Sequence, residues 1–129
     1  MNELEKVISE IDFQYFRNGE HKIEVDEFLS AKDTIFLDVR AKEEQETVKL
    51  SLLHHCKVIE IPTNEIPKRI NEIPKDKTIG IFCSAGVRAT IIFLYLKSKG
   101  YNDVKIILGG YPPLMAALMP GKLYKHINK

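Results

Sequence analysis

A cysteine lies at a junction in the sequence that favours nucleophilic chemistry. Cys83 follows the apolar run Thr78-Ile79-Gly80-Ile81-Phe82 and precedes a run with helical periodicity from Ala89 to Lys99. The first N–H groups of a helix have no partner within the helix, and together with the macrodipole they favour negative charge. A thiolate placed there is stabilised. Cys83 is therefore a candidate nucleophile.

The residues after this cysteine predict a cradle for its sulfur and for one small anion. Gly86 allows backbone angles that a residue with a Cβ resists, so several N–H groups can converge on the sulfur. Arg88 adds a permanent positive charge at the rim. A competing interpretation is that Cys83 is a small buried hydrophobe, and the cysteine considered alone favours it.

The loop pattern Cys-x-x-Gly-x-Arg between a strand and a helix resembles the active-site loop of the rhodanese family. These single-domain sulfurtransferases carry sulfur as a cysteine persulfide. Other segments fit the family in the expected order, and the resemblance covers roughly Ile23 to Met119. These segments are Ile35-Phe36-Leu37-Asp38-Val39-Arg40, Ile61-Pro62-Thr63-Asn64-Glu65-Ile66, Asn71-Glu72-Ile73-Pro74-Lys75-Asp76-Lys77 and Leu108-Gly109-Gly110.

The resemblance implies a role for each residue of the loop. Cys83 would be the catalytic residue that forms the persulfide, with no metal and no organic cofactor. The substrate-binding residues would be those whose backbone N–H groups stabilise its charge, namely Ser84, Ala85, Gly86, Val87 and Arg88.

A charged pair follows the apolar strand Ile35 to Val39. Asp38 and Arg40 stand where a buried strand emerges, and such charges are costly unless they are partnered. The residues alone predict a structural salt bridge or a loop anchor. The resemblance implies much the same, with both residues bracing the active-site loop from behind.

The order of apolar patterns predicts an α/β fold with a mainly parallel five-stranded sheet and helices on both faces. In such sheets ligands bind beyond the carboxyl ends of the strands. Cys83, Asp38 and Gly109-Gly110 all follow strand ends, so we expect them on one side. The expected strands are 21–23, 35–39, 58–61, 78–82 and 104–108, and the expected helices are 3–16, 25–31, 41–50, 64–73, 89–99 and 111–118.

The chain divides into three parts. Residues 1–20 form an amphipathic helix extension with Asn2 as N-cap and Glu5 three residues later. Residues 21–121 form the rhodanese-like domain, and residues 122–129 a basic tail, expected to be solvated. We expect the helix to pack against its own domain, and a dimer or docking helix is the alternative.

Composition excludes several classes of partner. Nineteen basic and eighteen acidic residues leave a net charge of +1, which points neither to nucleic acid nor to an anionic membrane. No apolar run approaches the roughly 20 residues of a membrane span. The N-terminus is acidic where a signal peptide would be basic, so we expect a cytoplasmic protein.

The segment His54-His55-Cys56 departs from the Gly-His-Ile-x-Gly-Ala-like turn that many rhodaneses have here. His54 and Cys56 would share one face of an extended segment, but two ligands are too few for zinc, so we expect no metal site. Cys56 fits a packed thiol, and a resolving thiol for Cys83 is the alternative.

Further along the chain, the patch from Met115 to Met119 fits either a part of the core or a docking edge beside the site.

Two other functions compete with sulfur transfer. Cysteine phosphatases and arsenate reductases also use Cys-plus-Arg loops, but their spacing is Cys-x5-Arg, whereas Cys83 and Arg88 enclose only four residues. The loop is one residue short for a tetrahedral phosphate, which disfavours that chemistry. A rhodanese-fold module that carries sulfur or binds proteins without turnover stays open, because Cys83 would serve either role.

The loop also predicts which sulfur donor is used. Thiosulfate-preferring relatives often have a basic residue directly after the cysteine, whereas Ser84 is neutral and Arg88 is the only charge in the loop. We expect modest thiosulfate affinity and better use of glutathione persulfide or a protein persulfide. The acceptor would be a thiol or cyanide, and a sulfur-relay protein would fit as a partner.

Overall fold

The computed structural model describes residues 1–52 and 55–119 and contains one five-stranded sheet. The strands are β1 (Lys22–Ile23), β2 (Thr34–Asp38), β3 (Lys57–Glu60), β4 (Thr78–Phe82) and β5 (Val104–Ile107). All neighbouring pairs are parallel, in the order β1-β5-β4-β2-β3. The α/β fold with a parallel five-stranded sheet is confirmed, and β4, which leads to Cys83, lies at its centre.

Helices cover both faces of this sheet. They are α1 (Glu3–Glu10), α2 (Phe13–Arg17), α3 (Val25–Ser30), α4 (Lys42–Thr47), α5 (Ile66–Arg69), α6 (Val87–Ser98) and α7 (Tyr111–Ala117). Short 3-10 turns, Thr63–Glu65 and Ile70–Glu72, flank α5. The expected boundaries are therefore met within a few residues for α3, α6 and α7, whereas the expected helix over 64–73 is three short pieces.

Successive side chains of β4 point into two separate hydrophobic cores, one on each face of the sheet. Ile79 and Ile81 pack with residues of α5 and α6, whereas Phe82 packs with residues of α3 and α7. Gly80 faces the second core, where a Cβ would overlap the ring of Phe28. Since side chains of a strand point alternately to its two faces, a strand that is buried on both faces reads as a continuous apolar run.

The N-terminal segment is two helices, which corrects the expectation of one helix over 3–16. The predicted cap is confirmed, because Asn2 Oδ1 accepts from Glu5 N at 2.8 Å and Glu5 Oε1 accepts from Asn2 N at 2.9 Å. Asp12 then starts α2, since its Oδ1 accepts from Tyr15 N at 2.9 Å. A second N-cap, Asp12, therefore lies inside the apolar pattern, and α1 ends before it instead of continuing to residue 16.

Helix α1 lies against α6, but few of its side chains are covered. Val7 is half-buried, whereas Leu4 and Ile8 are exposed, so the expected apolar face is only partly used. No helix in the described part of the chain is long and apolar enough to cross a membrane. Residues 120–121 of the expected domain, the tail 122–129 and His54 lie outside the described residues.

Candidate functional site

The loop after β4 holds the candidate nucleophile in a small cradle. Cys83 is 2% exposed, and its Sγ accepts hydrogen bonds from Gly86 N at 3.0 Å and Ala89 N at 3.3 Å. Ala89 lies in the first turn of α6, where N–H groups lack partners within the helix. The sulfur therefore lies at the N-terminal end of α6, in contact with two backbone donors.

Gly86 makes this geometry possible through its backbone angles. Its φ is +91°, in the left-handed region, and no atom lies within 4 Å of the place a Cβ would take. The requirement for glycine is therefore conformational and not a matter of space. The reversed backbone turns Gly86 N toward Sγ and starts α6 directly after it.

Further donors of the loop remain available for a ligand. Within residues 1–52 and 55–119, no protein atom accepts a hydrogen bond from the backbone N–H groups of Ser84, Ala85, Val87 or Arg88. They belong to the same short loop as the Gly86 donor on Sγ. The arrangement can hold a thiolate and one extra atom that carries negative charge.

Arg88 is not a free charge at the rim, because a carboxylate from α4 pairs with it. Its Nη1 donates to Glu44 Oε1, its Nη2 donates to Glu44 Oε2 at 3.3 Å, and Nη2 also donates to Ser84 Oγ at 2.9 Å. The hydrogen bond with Glu44 raises the pKa of Arg88. The hydrogen bonds from Arg88 and from Ala41 N lower the pKa of the Glu44 carboxyl.

The expected pair behind the loop is a fully buried ion pair. Arg40 Nη2 donates to Asp38 Oδ2 at 2.7 Å and Arg40 Nε donates to Asp38 Oδ1 at 2.9 Å, with both side chains 0% exposed. Burial opposes the charge on Arg40, but hydrogen bonds with Asp38 and Tyr111 outweigh it, so the pKa of Arg40 is raised.

This guanidinium connects three elements around the loop. Arg40 also donates to the carbonyl oxygens of Glu44 at 3.3 Å and Val48 at 2.8 Å, and to the hydroxyl of Tyr111 at 2.9 Å. It thereby fixes α4 and the start of α7 to the end of β2. Asp38 pairs with Phe82 in the sheet register, one residue before Cys83.

The site also includes residues from outside the loop. Gly110 packs on the loop, since a Cβ there would overlap the carbonyl oxygen of Ser84. Gln45 Nε2 donates to Asp38 O at 3.0 Å. Tyr111 and Glu44 bind the two arginines. The sequence analysis singled out Gly109-Gly110 as following a strand end, but it missed Gln45, Tyr111 and Glu44. Glu44 was one of several acidic residues in the expected helix 41–50.

The outer edge of the cradle is apolar. Val87 is 67% exposed and Ile91, one turn later on α6, is 54% exposed. Ile91 is exposed because Ile92 and Leu96 take the inward face of α6. Met115 and Met119 on and after α7 are also exposed, which excludes a core role for these two side chains.

The second cysteine belongs to the other face of the sheet. Cys56 is half-buried against the core of α3 and α7, whereas Cys83 lies in the core of α5 and α6. Neither cysteine forms a disulfide. This placement matches the packed thiol expected for Cys56. Among the described residues, no group of three or more His, Cys, Asp or Glu side chains is arranged to hold a metal ion.

Comparison with known proteins gives this arrangement a family. The model of the rhodanese-like domain matches residues 22–117. A tRNA sulfurtransferase of Aeromonas salmonicida (strain A449) is 33% identical over 110 residues, which cover 80% of this chain and 22% of the relative. The chain therefore spans less than a quarter of the length of such curated relatives.

Solved structures agree with the family match. An NAD-dependent persulfide reductase from A. fulgidus is 37% identical with a TM-score of 0.57, covering 75% of this chain and 16% of that one. A rhodanese-like domain protein from Staphylococcus aureus is 28% identical with a TM-score of 0.59, covering 70% of this chain and 86% of that one. The chain thus belongs to the rhodanese-like domain family.

Proposed function

We propose that the protein is a sulfurtransferase that moves sulfane sulfur through a persulfide on Cys83. The observation that carries this proposal is the position of the Cys83 sulfur, which accepts hydrogen bonds from Gly86 N and Ala89 N at the start of α6. The match to the rhodanese-like domain family supports it. So do the names of relatives that include a tRNA sulfurtransferase and a persulfide reductase.

The reaction has two steps and needs no metal or organic cofactor. The Cys83 thiolate attacks the outer sulfur of a donor, the S–S bond of the donor breaks, and the electron pair leaves with sulfite or with the donor thiolate. Cys83 then carries the persulfide. Cyanide or an acceptor thiolate attacks the outer sulfur in turn, which gives thiocyanate or a new persulfide and returns the Cys83 thiolate.

Backbone donors of the loop stabilise the charged intermediate. The N–H groups of residues 84, 85, 87 and 88, which have no acceptor among the described residues, would donate to the outer sulfur of the persulfide. Preorganised donors stabilise developing charge because they need not reorient during the reaction. Asp38 and Arg40 hold the loop without contacting the substrate.

The physiological donor proposed here is a persulfide of a small thiol or a protein, with thiosulfate as a weaker substrate and cyanide as a test acceptor. The neutral Ser84 and the apolar Val87 support this preference. A reducing compartment such as the cytoplasm suits the chemistry, because Cys83 must stay a free thiol. No nucleic acid or membrane contact is part of the proposal.

A sulfur-carrier without turnover is the second candidate. It is favoured by one observation, namely that relatives such as the tRNA sulfurtransferase contain the matching domain as about a fifth of a longer chain (22%). In that case Cys83 would receive sulfur from one protein and give it to another. The two candidates share the persulfide and differ in whether small donors and acceptors sustain turnover.

Mass spectrometry after donor treatment tests the proposal. The wild type, Cys83→Ser and the matched control Cys56→Ser are exposed to thiosulfate or glutathione persulfide, and cyanide is then added. We expect one extra sulfur on the Cys83 peptide in the wild type and in Cys56→Ser, removed by cyanide as thiocyanate. Repeated turnover supports an enzyme and loading without turnover supports a carrier. Absence of loading in folded protein overturns both.

A further inference from the structure

We propose that Glu44 determines donor specificity, because its carboxylate cancels the positive charge of Arg88 and so selects persulfides over dianionic donors such as thiosulfate. This inference rests on the proposed function. Glu44 is a specificity-determining residue in this account and takes no part in bond making. Nothing in the loop sequence itself assigns it this role.

The carboxylate is fixed toward Arg88 by contacts on both of its oxygens. Glu44 Oε1 accepts from Arg88 Nη1 and from Ala41 N at 3.0 Å, while Oε2 accepts from Arg88 Nη2 at 3.3 Å. The carbonyl oxygen of Glu44 accepts from the buried Arg40 at 3.3 Å. Side chain and backbone are therefore both tethered, and the carboxylate stays beside Arg88.

The charges near the sulfur cancel in pairs. Arg88 is the only charged residue from 83 to 88, and Glu44 offsets it. Behind the loop, Asp38 and Arg40 also form a neutral pair. The attraction left for an anion comes from backbone N–H groups, which suit one negative charge at the reacting sulfur. A thiosulfate dianion brings two negative charges, and the Glu44 carboxylate repels it.

A persulfide of a thiol fits the same surroundings better. Its reacting end carries at most one negative charge, and its carbon chain can lie on the apolar edge formed by Val87 and Ile91. In glutathione persulfide the carboxylates are several bonds from the reacting sulfur. Removing the Glu44 charge should therefore favour thiosulfate far more than glutathione persulfide.

The test uses Glu44→Gln, which keeps the shape and an oxygen for Ala41 N and Arg88 but removes the charge. The matched control is Glu43→Gln, an exposed neighbour on α4 with the same change in net charge. The rate of Cys83 loading is measured for both donors as kcat/KM. For Glu44→Gln we expect about a fivefold gain with thiosulfate, through a lower KM, and less than twofold with glutathione persulfide.

The thiosulfate gain should shrink as salt is added, because screening weakens the charge effect. Glu43→Gln should match the wild type. An unchanged donor ratio in Glu44→Gln, with both donors loading Cys83, overturns the role of Glu44 and leaves the sulfurtransferase intact. Equal loss with both donors in a folded variant assigns Glu44 a structural role instead. A wild type that loads with neither donor overturns the proposed function and this inference with it.

Discussion

Arg40 and Tyr111 lie 71 positions apart, yet Arg40 Nη1 donates a hydrogen bond of 2.9 Å to the hydroxyl of Tyr111. The Tyr111 ring packs edge-on against Phe82, the residue before Cys83, with ring centroids 5.6 Å apart. The same guanidinium pairs with Asp38. The turn into α7 and the end of β2 therefore share one buried charge, next to the strand end that leads to Cys83.

Removing the charge of Arg40 should strongly destabilise the folded protein. Arg40→Met leaves the Asp38 carboxylate buried without its cation, and such a loss typically costs about 3–5 kcal/mol of folding free energy. Urea unfolding measures the difference. The double variant Asp38→Asn with Arg40→Met should recover part of the loss, since it removes the unpaired charge. No recovery in the double variant would contradict an ion-pair origin of the effect.

Removing only the tyrosine hydroxyl should cost less. Tyr111→Phe keeps the ring on Phe82 but deletes one hydrogen bond from a buried guanidinium, which is worth about 1.5–3 kcal/mol. The matched control is Tyr95→Phe, where the ring is half-buried on α6 and a change near zero is expected. Equal unfolding free energies for both variants would show that the contact with Arg40 adds no stability.

The sheet could be predicted because its strands have simple sequence signatures. Buried parallel strands are nearly continuous apolar runs, and Ile35 to Leu37 in β2 and Ile79 to Phe82 in β4 have this form. The N-cap Asn2 similarly predicted the start of α1. The break at Asp12 was missed because the apolar spacing continues across it, while only the local hydrogen bond from Tyr15 N ends the pattern.

The site could be predicted only where its residues are adjacent in the chain. This holds for the loop from Cys83 to Arg88. It also holds for Asp38 and Arg40, which lie two positions apart. The partners of the two arginines, Glu44 and Tyr111, come from other elements, 44 and 71 positions away. Pairings over such distances depend on tertiary packing, and a helix of mostly acidic residues does not reveal which carboxylate turns inward.

Gly86 is expected to be replaceable only by residues that tolerate a left-handed backbone. Gly86→Ala meets no neighbouring atom, but a φ of +91° should cost about 1–2 kcal/mol. Gly86→Asn should cost less, since Asn enters this region more readily. Unfolding free energy and the rate of Cys83 loading are measured together. Equal losses for Ala and Asn would argue that backbone conformation is not the constraint.

Acid should weaken the pair between Glu44 and Arg88. The pKa of Glu44 is lowered in the folded protein from an ordinary value of 4.5, with the hydrogen bond from Arg88 as the largest cause. A group whose pKa is lower in the folded state stabilises the protein above its unfolded pKa, and this contribution is lost as pH falls through the folded value. Because the pair is about one-third exposed, we expect the pair to contribute only about 0.5 kcal/mol to the free energy of unfolding.

The difference in unfolding free energy between wild type and Glu44→Gln should therefore be present at neutral pH and shrink in acid below pH 4.5. A difference that stays constant across this range would assign the effect of the substitution to packing or capping and not to charge.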